Sequence, residues 1–137
     1  VIVADTGAVI ALVDGDDRHH AAMRQLFEDD PDEWVLPWAI LPEVDYLLAT
    51  RVGAPAQAAF LGDLAAGAFA VEWGDQADVQ RANVLCTEYA NLRMGLVDGV
   101  VIGVAERLRA EAIATLDLRH FGAVAIDGRP RLFPRDL

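Results

Sequence analysis

Four carboxylates stand where a folded chain has most difficulty keeping them ionised. Asp5 follows directly on the apolar run VIVA, and Asp117 follows on AIATL. Glu43, in AILPEVDYLL, has Ala39, Ile40, Tyr46 and Leu47 three and four residues away, the spacing that shares a helix face. It is therefore expected on or beside an apolar face. Asp98, in the first turn of LVDGVVIGVAERL, has Val97 and Val101 beside it. An isolated buried carboxylate is costly and protonates. Carboxylates brought together raise one another's pKa. A hard divalent cation that prefers oxygen, Mg²⁺ or Mn²⁺, resolves the repulsion. Such an ion activates water and neutralises charge on a phosphoryl group, so phosphate-ester chemistry is the leading class. Each acid also has a plain structural role open to it. Asp98 can cap a helix, Asp117 can start a turn, and Glu43 can pair with an arginine. Their convergence favours a site.

Other chemistries fit less well. Asp5, Thr6 and Gly7 spell DTG, the catalytic-loop triplet of aspartic proteases. That loop needs strands around it and a second Asp, usually from a dimer mate, whereas the pattern after Gly7 is helical. Thr6 and Gly7 read instead as the turn from strand to helix. All eleven basic residues are arginine. Without lysine there is no P-loop and no phosphate-receiver site. A DxD phosphatase would carry an acid at position 7. The single cysteine, Cys86, excludes an intrachain disulfide and a Cys-based zinc site, and reads as a small buried hydrophobe. His19 and His20 fall at the expected exposed start of a helix, and His120 follows close after Asp117. The net charge of −11 counts against a simple nucleic-acid-binding module, since non-specific affinity comes from cations on phosphate. It does not exclude an enzyme that reaches phosphate through a bound cation. Arg93 and Arg119 flank the acids in sequence and are candidate phosphate contacts.

The elements that must position these acids follow from the hydrophobic pattern. With 137 residues and 54% hydrophobic content, the chain has material for one domain spanning 1–137. Strands are expected in VIVA, EWVLPW, AFAVEW and AIATL, and DLRHFGAVAI is expected to give a helical turn and a fifth, edge strand. A short helix or a turn is expected in TGAVIALVD, and helices in DDRHHAAMRQLFEDD (Asp16 or Asp17 as cap), AILPEVDYLLATRVG, APAQAAFLGDLAAG, DQADVQRANVLCTEYANL (Asp75 as cap) and LVDGVVIGVAERLRAE. The tail RPRLFPRDL has no clear assignment. Short apolar strands alternating with helices make an α/β fold with a mainly parallel sheet of four or five strands flanked by helices. In such sheets ligands bind beyond the carboxyl ends of the strands, where Asp5 and Asp117 fall. No apolar run reaches membrane-spanning length, and a cytoplasmic home is expected.

The segments VIVADTGAVIAL, LPEVDYLL, LVDGVVIGVAERL and AIATLDLRHF, in that order and spacing, resemble the PIN-domain ribonucleases, in particular the VapC-type toxins of bacterial toxin–antitoxin pairs. Asp5 matches the family's first-strand acid, Glu43 its helix acid, Asp98 the acid opening the later helix, and Asp117 the acid of the TxD segment. Thr6 and Thr115 match polar positions beside the site. The resemblance implies a PIN-like fold and an endoribonuclease dependent on Mg²⁺, with Mn²⁺ able to substitute. Asp5, Asp98 and Asp117 would hold metal, with Glu43 acting through water. It also implies a homodimer, a VapB-type antitoxin partner, and a tRNA, rRNA or mRNA substrate. A catalytically weak PIN-like binding module, or a PIN nuclease that is not a toxin, is the alternative, and the intact set of four acids argues against the first. Two positions depart from the pattern. Gly7 stands where Ser is common, and Gly99 stands where Ala is common, which is expected to loosen that helix start.

Overall fold

Three-residue apolar strands cannot stand alone; each needs neighbours on both sides and cover on both faces. The computed structural model, which describes residues 1–137, meets that need with one five-stranded, all-parallel sheet. The strands are β1 (Ile2–Ala4), β2 (Trp34–Pro37), β3 (Ala70–Glu72), β4 (Ala112–Ala114) and β5 (Arg131–Phe133). Their order is β3-β2-β1-β4-β5. The first strand in sequence is thus the middle of the sheet, with Ile2 in register with Trp34 on one side and Ala112 on the other.

Seven helices cover the sheet: α1 (Thr6–Val13), α2 (His20–Asp29), α3 (Leu41–Leu47), α4 (Ala54–Ala65), α5 (Gln76–Glu88), α6 (Leu96–Arg107) and α7 (Leu118–Phe121). Asp75 caps α5 as expected, in a reciprocal capping box with Asp78. The residues of α6 from Gly99 to Ala105 are all buried, so this helix is apolar nearly all round, and it packs against α5 as well as β1 and β2.

Two expectations are corrected. The fifth strand lies in the tail, at Arg131–Phe133, and not within 117–126, which forms α7 and turns. The segment RLF hydrogen-bonds to β4, with Arg131 N donating to Glu111 O and Thr115 N donating to Phe133 O. The cap of α2 is His19, without a side-chain bond to the helix. Asp17 instead accepts from His19 N at 2.7 Å.

Asp78 is the one fully buried acid away from the strand ends, at 1% exposure. Arg107 meets it in a two-pronged pair, Nε to Oδ1 at 2.8 Å and Nη2 to Oδ2 at 2.9 Å. The same carboxylate accepts from Asp75 N at 3.0 Å. Removing the arginine strands a charge that has no water to turn to. Arg107→Ala is expected to cost about 2 kcal/mol, discounted from the buried-pair range because the guanidinium is partly solvated. A urea melt checks this; an unchanged midpoint would remove the pair as a tie between α5 and α6.

Candidate active site

At their carboxyl ends the neighbouring strands β1 and β4 both deliver polar side chains. β1 ends at Asp5, whose backbone N donates to Ala114 O at 2.9 Å and so ties it to β4. β4 runs into Thr115, whose hydroxyl donates to Asp5 Oδ2 at 3.0 Å and accepts from Asp117 N at 3.0 Å. One threonine thus fixes two acids that lie far apart in sequence. Asp117 is also the cap of α7, accepting from His120 N at 3.1 Å. Its structural role and its place at the site coexist. Asp98 projects from the first turn of α6, half-buried.

The three aspartates line an open cavity of about 540 Å³. It brings together Asp5, Glu43, Asp98 and Asp117, with Thr6, Gly7, Asp17 and Arg51 also on its walls. Glu43 differs from expectation in one respect. It is exposed rather than set against the apolar face, because that side of α3 opens onto the cavity. Arg93 and Arg119 are exposed and line neither this cavity nor its neighbours.

Three further residues stand at the site: His120, Asp17 and Arg51. His120 Nδ1 lies 2.7 Å from Asp98 Oδ2 and 3.1 Å from Asp117 Oδ2. Asp98, Asp117 and His120 form the tightest group, with one ligand atom from each within 4.8 Å of the others. Its place three residues after Asp117, inside a helical turn, was the available signal. Asp17 read as a helix cap, and Arg51 gave no signal at all. His19 and His20 are half-buried, not exposed, and His20 Nδ1 lies 2.8 Å from Ala11 O.

The electrostatics are those of a cavity with too much negative charge. Burial pushes the Asp5 carboxyl up to about 7. The Thr6 backbone N–H and the Thr115 hydroxyl counter this, while Asp98 and Asp117 add to it. Asp98 is also raised, first by burial, with His120 opposing and Asp117 and Glu43 reinforcing. Thr6 Oγ1 is buried beside Asp5 with no hydrogen-bond partner. Oxygen donors in excess of their protein partners suit a hard divalent cation, so the residues present fit such an ion.

The PIN domain family model matches residues 2–127. The chain belongs to the PIN-domain family. Within it, the ribonuclease VapC26 of Mycobacterium tuberculosis is 36% identical over 123 residues, covering 90% of this chain and 91% of that protein. Among solved PIN-type structures, VapC20 of Mycobacterium tuberculosis, described as a sarcin–ricin loop cleaving toxin, superposes with a TM-score of 0.82. It is 20% identical and covers 93% of this chain and 98% of its own. The DNA-bound VapBC of Salmonella typhimurium gives a TM-score of 0.71 at 19% identity, covering 96% and 95%. These likenesses at low identity carry the PIN fold, and the α/β reading with a parallel sheet holds. The two glycines that depart from the PIN pattern stand in different surroundings. A β-carbon at Gly7 would meet only Leu116 Cβ, at 3.9 Å, so there is room for the common serine. At Gly99 a β-carbon would stand 2.7 Å from Ala82 Cβ and 2.8 Å from Ala82 Cα. Gly99 therefore serves close packing against α5 and does not simply loosen the start of α6.

Proposed function

We propose that this protein is a metal-dependent endoribonuclease that hydrolyses RNA phosphodiester bonds, and that it is the toxin of a VapBC-type pair. The observation that carries the reading is the meeting of Asp5, Glu43, Asp98 and Asp117 in one open cavity at the carboxyl ends of β1 and β4. The 36% identity to a ribonuclease across most of both chains supports the substrate class.

Asp5, Asp98 and Asp117 would hold Mg²⁺ or Mn²⁺. When bound, the ion supplies Lewis-acid polarisation of the phosphoryl oxygens and lowers the pKa of water. Thr115 fixes the Asp5 carboxylate by donating to it and fixes the Asp117 backbone by accepting from its N–H. Glu43, exposed on the cavity wall, orients the attacking water and accepts its proton. In-line attack leaves a 5′-phosphate and a 3′-hydroxyl. Residues 1–137 act as one PIN-like domain. The working form is a cytoplasmic homodimer that cuts a tRNA, rRNA or mRNA, and a VapB-type antitoxin silences it. No helix is long and apolar enough to cross a membrane.

The test is incubation of the purified protein with total RNA and Mg²⁺ or Mn²⁺, beside an EDTA control and Asp98→Asn, followed by sequencing of the ends. Discrete cuts that need metal, and that Asp98→Asn loses at least a hundredfold, are expected. Cyclic phosphate ends would refute attack by water. A folded protein that neither cuts RNA nor binds Mn²⁺ would return the chain to the binding-module reading.

A further inference from the structure

Metal can neutralise the phosphate being cut, but not the phosphates on either side of it. This chain carries a net charge of −11, so the remaining strand must be held against a repulsive surface. Five of the eleven arginines pair with carboxylates: Arg24, Arg81, Arg107, Arg131 and Arg135. Six have no carboxylate within ion-pair distance, and two of those six stand at the acid cavity or against its wall.

Arg51 is inside it. The segment Leu48–Val52 continues α3 as a π-turn, closed by Gly53 N donating to Leu48 O at 2.8 Å. At 3.6 residues per turn, the eight residues from Glu43 to Arg51 would leave the arginine about 80° off the line of the glutamate. The wider i→i+5 turn advances less per residue and takes back most of that offset. Glu43, Leu47 and Arg51 consequently share the cavity wall.

Arg18 lies in the adjoining cavity of about 330 Å³, which shares Leu116 with the first and includes Thr115, the residue that holds Asp5. Its chain neighbour Asp17 faces the acid cavity, and its Nε donates to His19 Nε2 at 3.0 Å. Arg135 shares this second cavity, but its guanidinium is tied to Asp136 at 2.7 and 2.9 Å.

We propose that Arg51 and Arg18 form a phosphate cradle, Arg51 within the acid cavity and Arg18 across Leu116 from it, holding the RNA phosphates that neighbour the one being cut. The cradle rests on the nuclease reading above. It replaces Arg93 and Arg119 as the backbone contacts, since those two line neither cavity.

The experiment is fluorescence anisotropy of a labelled 2′-O-methyl RNA strand, which keeps every phosphate, and a gel run after each titration checks that the strand is still whole. The strand is about 12 nucleotides long, within the span of single-strand sites, and is titrated with Mg²⁺ present at several salt concentrations. Arg51→Ala and Arg18→Ala are each expected to weaken binding about five- to tenfold. Each should also flatten the dependence of log Kd on log salt by about 0.7, the amount for one lost contact on a single strand. Arg51→Lys keeps the charge and should keep the slope. Arg93→Ala and Arg119→Ala remove the same charge elsewhere and should change neither quantity. Equal losses in all four alanine variants would mean diffuse attraction and overturn the cradle. So would wild-type binding by Arg51→Ala and Arg18→Ala, and continued cleavage of total RNA would then leave the nuclease reading standing. Wild-type protein that neither binds the strand nor cuts total RNA would remove that reading and the cradle with it.

Discussion

Asp5→Asn is expected to melt at a higher temperature than the wild type at pH 8 without metal, while losing RNA cleavage altogether. The Asp5 carboxyl is 6% exposed and its pKa is raised from 3.8 to about 7, chiefly by burial. Between those two values the unfolded chain has released its proton and the folded chain has kept it. Folding stability therefore falls as pH rises from about 4 to about 7 and is flat above. A shift of about three units corresponds to roughly 4 kcal/mol at pH 8, an upper figure that one amide substitution recovers. Asn keeps an oxygen to accept from Thr115 and carries no charge to desolvate. Divalent cation should act unequally on the two proteins. It binds the ionised carboxylate, so it should stabilise the wild type by about 2.7 kcal/mol at a hundredfold excess over Kd and do little for Asp5→Asn. Thermal melts at pH 5 and pH 8, with EDTA and with Mn²⁺, measure all of this. A wild type that gains stability between pH 5 and pH 8 in EDTA, or an Asn variant that melts lower at pH 8, would contradict it.

Gly99→Ala is expected to cost about 3 kcal/mol and most of the activity, although it adds one methyl group and favours helix by propensity. The added carbon would lie 2.8 Å from the Ala82 Cα, and a backbone atom cannot swing aside as a side-chain tip can. Relief requires α6 to move away from α5, and Asp98 is the residue next to the one that moves. Loss of melting temperature should therefore accompany loss of Mn²⁺ affinity. Ala82→Gly in the same chain should restore only part of both, because it removes the Ala82 Cβ at 2.7 Å and leaves the Cα at 2.8 Å. Full stability in Gly99→Ala alone would mean the helices adjust freely, and the close approach would then have no energetic weight.

The parts of the molecule legible in its sequence are those where one physical requirement acts alone. VIVA and AIATL could be read because strands buried on both faces must be apolar at every position, and an acid at the end of such a run is conspicuous. The α5 cap could be read because Asp75 and Asp78 stand at capping-box spacing. β5 could not. It is three residues long at the edge of the sheet, with Arg131 exposed, so neither an apolar run nor strict alternation marks it. Glu43 read as a buried acid because its apolar neighbours are in the sequence, but the cavity that opens beside it is not. Arg51 was hidden for a similar reason. Its direction depends on a π-turn, and periodicity assumes that the turn never changes. His120 was visible only as a neighbour of Asp117, because its contact with Asp98 joins α6 to α7.

The strand order also sets when the site can exist. β1 is made first and lies in the middle of the sheet, and its β4 neighbour begins only at Ala112. The Thr115 to Asp5 hydrogen bond spans 110 positions of chain. A ribosome that has released the first hundred residues has produced Asp5, Glu43 and Asp98 but no strand to hold one side of β1, and neither Thr115 nor Asp117. Assembly of the acid cavity thus waits for late synthesis, as expected of long-range pairing. The four acids cannot meet in one cavity until synthesis has passed Asp117.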